Sequence, residues 1–129
     1  MEQYELWLKA LARKREPAMA EAARLADLER FDEAEAVVKK VDDSIYGAVA
    51  LGKMYRAKLE AIVASGAAGT RDGKPRAERL FERALWWMQS AYPEPHTAIE
   101  AENYESGRAE DLACLVRVLG YDPRAEPRS

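Results

Sequence analysis

The sequence predicts an all-α domain of six to seven helices in antiparallel pairs, and three observations carry that prediction. Alanine occurs 24 times in 129 residues, while Val, Ile and Thr together occur 12 times. Ala enters a helix at the least cost, and β-branched side chains favour sheet. Apolar residues recur at three- and four-residue spacing along most of the chain, and no alternating strand pattern appears. Helix start and stop signals punctuate those stripes at intervals suited to short rods.

Tyr4, Trp7, Leu8 and Leu11 stripe a first helix that ends near Arg15. Pro17 fits the first turn of the next, where a missing N–H leaves nothing unsatisfied, and Ala18, Ala22, Leu25 and Leu28 mark its face. Asp32, with Glu35 three residues on, reads as an N-cap and capping box for a third helix faced by Ala34, Val37, Val38 and Val41. Ser44 is placed to cap a longer helix, Ile45 to about Ala64, striped by Ala48, Leu51, Gly52, Tyr55, Leu59 and Ile62. Ser65 to Pro75 holds three glycines and reads as a flexible loop. A helix from Arg76 to Tyr92 shows the clearest period, at Ala77, Leu80, Phe81, Ala84, Leu85 and Met88, before Pro93 and Pro95. A short acidic helix follows, stopping at Ser106-Gly107. The last runs from Ala109 to Leu119 and closes at Gly120. Residues 1–123 form one expected domain, and 124–129 a frayed tail.

Composition excludes several function classes. The 23 acidic residues against 20 Lys and Arg give net −3, unsuited to non-specific nucleic-acid binding. No apolar run approaches the ~18 residues of a membrane span, and the acidic start is unlike a signal peptide. With the single Cys114, these features point to a cytoplasmic protein. One Cys and one His cannot build a Cys/His zinc site, and nothing in the sequence calls for a metal or cofactor. Gly69 to Pro75 has a proline where a phosphate loop needs Ser or Thr, and no strand precedes it.

Phe31-Asp32-Glu33-Ala34 resembles the inter-helix turn of a tetratricopeptide repeat, with Ala22 and Ala34 on the small positions of its two helices. Leu51-Gly52-Lys53-Met54-Tyr55 resembles the first helix of a second repeat, and Ala77, Phe81 and Ala84 its second helix. Gly107 to Pro123 is similar to a third turn and helix, with Leu112, Val116 and Leu119 inward. The resemblance implies a scaffold that binds a protein segment along one surface.

Candidate site residues follow from faces left over after burial. Trp86 shares a helical row with Arg79, Arg83 and Ser90, away from the buried stripe. Trp and Arg are the commonest hot-spot residues of protein interfaces, so this row, with Lys53 and Arg56, is the candidate partner surface. The basic side chains suit an acidic segment; a plain solvated face is the simpler alternative. The last helix is apolar on more than one side, so Leu115, Val118 and Leu119 are candidates for a homodimer interface, unless Trp7 and Leu11 fold back to cover them. The rival reading is an enzyme, or a small-ligand or metal binder, with a cleft near Tyr92, His96 and Glu100. His96 and Glu100 stand four residues apart, on one face of a helix that begins early enough to hold both.

Overall fold

The computed structural model describes residues 2–125, and among them it is all-helical, with no strand. Five α-helices follow in order: α1 Glu2–Asp27, α2 Phe31–Val41, α3 Ile45–Ala64, α4 Gly73–Ser90 and α5 Ala98–Leu119, with a 3-10 turn at Ala67–Gly69. The count is lower than the sequence predicts because two expected breaks do not occur. Contacts divide the chain into two compact units, Met1–Leu51 and Gly52–Ser129, with α3 running through both. The sequence alone suggested one domain over 1–123. Of the expected tail, Arg124 and Ala125 sit in a turn held by Asp122, and residues 126–129 lie outside the described residues.

In the first unit, Pro17 lies inside α1 rather than starting a new helix. It removes the hydrogen bond to the carbonyl of Arg13 and crowds that carbonyl with its ring, and both residues are exposed, so the disturbed turn lies on the water-facing side of α1. Beyond Pro17, α1 buries Ala18, Ala22, Leu25 and Ala26, and α2 buries Phe31, Ala34 and Val38. Alanines at the crossing let the two backbones approach closely. The connecting turn carries Glu29 at φ 58°, and the N–H of Arg30 bonds to the carbonyl of Leu25 at 3.0 Å. Leu28, expected on the buried stripe, falls in this turn and is exposed.

Helix α2 begins two residues earlier than the Asp32 cap predicts. The carbonyl of Arg30 accepts the N–H of Ala34 at 3.0 Å, which makes Arg30 the capping residue. Asp32 and Glu33 lie in the first turn, where their charge complements the helix dipole. Ser44 caps α3 as expected, accepting the N–H of Tyr46 at 3.2 Å.

Asp42, between α2 and α3, is the buried corner of this unit. Its carboxylate accepts Arg15 Nη1 at 2.6 Å and the N–H and hydroxyl of Ser44, with the side chain 2% exposed. Burial alone would push this carboxyl up. The hydrogen bonds from Ser44 and Arg15 outweigh that effect and hold it below the usual carboxylate range. Gly47 completes the corner: a Cβ there would stand 2.2 Å from the backbone oxygen of Asp42.

In the second unit, Gly52 of α3 lies against Met88 near the end of α4. A Cβ at Gly52 would meet Met88 Cγ at 2.9 Å. With the short connection at the opposite ends, this contact makes the two helices antiparallel. That connection is ordered structure rather than the expected loop. The Thr70 hydroxyl donates to the Ala67 carbonyl at 2.6 Å and accepts the N–H of Gly73 at 3.0 Å, so α4 starts three residues before Arg76. The core here gathers Tyr55, Leu59, Leu80, Phe81, Leu85 and Leu115, with Ala77 and Ala84 at close approaches.

Ser106-Gly107 does not end a helix either; α5 runs straight through it. Gly107 faces Tyr92, and a Cβ would stand 2.4 Å from its hydroxyl oxygen. The Tyr92 hydroxyl donates to Asp111 at 2.9 Å, Arg108 lies 5.3 Å from the ring centre, and Tyr104 packs beside it at 5.8 Å. Glycine costs a helix about 1 kcal/mol relative to alanine, and here that cost is offset by admitting an aromatic ring. Gly107→Ala is therefore expected to destabilise by about 1–3 kcal/mol despite the better propensity, as overpacking does. A denaturant titration measures it. The helix ends at Gly120, in the left-handed region at φ 96°, and the Tyr121 hydroxyl reaches Glu78 at 2.5 Å. Burial, then that carboxylate, push Tyr121 up to about 12.

Candidate functional site

Helix α4 buries Ala77, Leu80, Phe81, Ala84 and Leu85, which fixes what its opposite side displays. Arg79, Arg83, Trp86 and Ser90 fall on one row of that side at three- and four-residue spacing. Trp86 is 64% exposed, Arg79 exposed and Arg83 half-buried. Ser90 turns back, its hydroxyl donating to the carbonyl of Trp86 at 2.6 Å. The row therefore presents an indole and two guanidinium groups on a rigid helix.

Lys53 and Arg56 come from the facing helix. With Gly52 beside Met88 in an antiparallel pair, Lys53 comes level with Trp87 and Arg56 with Ala84, each one residue rise, ~1.5 Å, from the height of Trp86 and Arg83. Lys53 is exposed, and Arg56 is half-buried and paired with Glu60 at 3.2 Å. Exposed i, i+4 pairs of this kind are weak, a few tenths of a kcal/mol by order of magnitude, so an incoming carboxylate can compete for Arg56. Trp87 borders the buried face, as its position in the period predicts. Its indole Nε1 is buried and has no hydrogen-bond partner among the described residues, which costs roughly 1–3 kcal/mol.

Tyr92, His96 and Glu100, the residues of the rival reading, lie where the chain passes from α4 to α5. Thr97 caps α5, its Oγ1 accepting the N–H of Glu100 at 3.0 Å, while the Glu100 carboxylate accepts the N–H of His96 at 3.1 Å. Tyr92 turns to Asp111 and Gly107 rather than to His96, which is exposed. Acidic residues that a sequence reading assigns to a solvated patch thus hold structure at two places, Glu100 and Asp111. No group of three or more His, Cys, Asp or Glu among the described residues could hold a metal ion.

Leu115 and Leu119 are covered within the chain itself, and Val118 is half-buried. The cover that the sequence demands at the last helix is thus supplied without a second copy at two of the three positions. Trp7, the expected cover, is 53% exposed, with Tyr4 at 54% and Leu6 at 64%. Sequence reasoning missed this exposure; the signal available was that the stripe at 4, 7, 8 and 11 has a longer run than α2 can cover.

The chain matches no protein-family model, and no curated protein or solved structure is significantly similar to it. Among the described residues, no helix is long and apolar enough to cross a membrane.

Proposed function

We propose that the protein is a non-catalytic helical docking module, with the Trp86 row as its partner surface. A segment of a partner protein places an apolar side chain against Trp86 and acidic side chains toward Arg79, Arg83, Lys53 and Arg56. The observation that carries this reading is the exposure of Trp86 on the outer row of a helix whose inner face is packed. An exposed indole flanked by guanidinium groups is the composition of interface hot spots, and placement on a regular helix keeps the side chains in fixed register.

The tetratricopeptide-like reading supplies the architecture for such a role. It is supported by the small residues at close approaches: Ala22 and Ala34 are fully buried, and Gly52 lies against α4. Antiparallel helix pairs joined by short turns leave an outer surface free for an extended or helical ligand. An adaptor, chaperone-like or regulatory role is consistent with a surface that binds but holds no reacting groups.

Affinity capture with the native protein tests the proposal, with wild type and Trp86→Ala run side by side. The variant is expected to stay folded, within about 0.5 kcal/mol of wild type, because the side chain is mostly in water. It is expected to lose a partner that wild type retains, with affinity at least about tenfold weaker. A specific partner held equally by both proteins would refute the assignment of this surface.

A further inference from the structure

We infer, resting on the docking role proposed for the Trp86 row, that its occupant is an amphipathic helix laid antiparallel to α4. Its docking face carries one apolar residue followed by acidic residues three, seven and ten positions later. Arg76, Arg79, Arg83, Trp86 and Ser90 succeed one another at spacings of three, four, three and four. That alternation keeps a row on one side of a helix and is the seam along which two helices pack. Arg79, Trp86 and Ser90 are exposed, and Arg76 and Arg83 half-buried. Between Arg76 and Trp86 the row holds three guanidinium groups and no carboxylate. Glu82 lies on the other side of the indole from Arg83, and Asp72 precedes the row by one turn. The three arginines also have interactions within the chain, so the row is a field of positive charge for which incoming carboxylates compete.

Backbone chemistry selects a helix as the occupant. Arg79 to Trp86 lie within α4, whose main-chain N–H and C=O groups there are committed to the helix itself. No strand edge exists among the described residues. An extended segment draws much of its affinity from main-chain hydrogen bonds to such an edge and finds none on this row. A helix arrives with its backbone bonds already made and offers side chains alone.

Charge sets the order and the direction. At ~1.5 Å per residue, Arg83, Arg79 and Arg76 stand about 4.5, 10.5 and 15 Å from Trp86 along the axis. With the apolar residue of an antiparallel partner level with Trp86, the residues three, seven and ten positions later come level with these arginines. The same spacing keeps all four on one face of the partner. The antiparallel direction also sets the positive N-terminal end of the partner beside the C-terminal end of α4, and its negative end beside the N-terminal end of α4. A parallel partner needs its acids before the apolar residue and brings like ends together. A contact about 15 Å long falls short of the standard interface of roughly 800 Å² per partner, so the complex is expected to be transient.

Three dye-labelled, alanine-rich helical peptides of identical composition test this by fluorescence anisotropy with the full chain at low salt. The first carries Leu with Glu three, seven and ten positions after it, the second reverses that order, and the third scatters the same residues around the helix. The first is expected to bind at least about tenfold more tightly than either of the others, and to weaken as salt is added. Arg79→Glu, at an exposed position, is expected to keep its helical circular dichroism and weaken the first peptide by a similar factor. Lys in place of the Glu at the seventh position is expected to recover binding to that variant; recovery by Lys at the third position instead overturns the register. Tightest binding of the reversed peptide overturns the direction, and no binding of the first overturns the inference as a whole. Equal binding of all three that Trp86→Ala abolishes removes the helical register and leaves the docking surface. Binding indifferent to Trp86→Ala removes the surface itself.

Discussion

Gly47→Ala is expected to destabilise the protein by about 2–4 kcal/mol. The new Cβ would lie 2.2 Å from the backbone oxygen of Asp42 and 3.3 Å from its carbonyl carbon. Because the obstacle is backbone, no side-chain rotation relieves the clash, and either the first turn of α3 or the corner before it must move. That corner also carries the Asp42 bonds to Arg15 and Ser44, so displacement breaks more than one contact. A thermal melt followed by circular dichroism should show a midpoint lowered by on the order of 10 °C. Gly69→Ala serves as the control: nothing lies within 4 Å of its Cβ direction, and a shift within about 0.5 kcal/mol is expected.

Removing the guanidinium partner of Asp42 is expected to cost nearly as much. Arg15→Ala leaves a carboxylate with only 2% of its side chain exposed and without its cationic partner. Breaking a buried pair from one side costs roughly 3–5 kcal/mol. Arg15 is itself 18% exposed, so the lower end of that range, about 2–3 kcal/mol, applies to this partly solvated pair. The same corner sets a pH dependence. Asp42 is held below its ordinary value in the folded state, so folding favours its charged form. Its stabilisation is complete above the unfolded value of about 3.9 and is lost as pH falls through the lower folded value. Denaturant titrations of wild type and Asp42→Asn should therefore differ most near neutrality and converge under strongly acidic conditions. A gap independent of pH would show that the Asp42 charge does not stabilise the corner.

The helical class, the buried stripes of α3 and α4 and the caps at Ser44 and Gly120 were all legible in the sequence, because each depends on residues within a turn or two. Helix breaks were not. Pro17 and Gly107 are local stop signals whose outcome depends on what surrounds them: an exposed carbonyl at Arg13, and the ring of Tyr92 seeking a groove. Burial along α1 was equally hidden, since a stripe states which face is apolar but not how far a neighbouring helix extends. The same gap explains Leu115 and Leu119, whose cover lies within the chain. Trp86 could be read because its position off the buried period requires only the geometry of its own helix.

The openness of Trp86 and its closure by a partner test the docking account most directly. A Trp7→Phe/Trp87→Phe variant leaves Trp86 as the sole indole, and its fluorescence can be quenched with acrylamide before and after addition of the captured partner. The account predicts ready quenching in the free protein and strong protection in the complex. An indole already shielded in the free protein, or one still open with the partner bound, would contradict it.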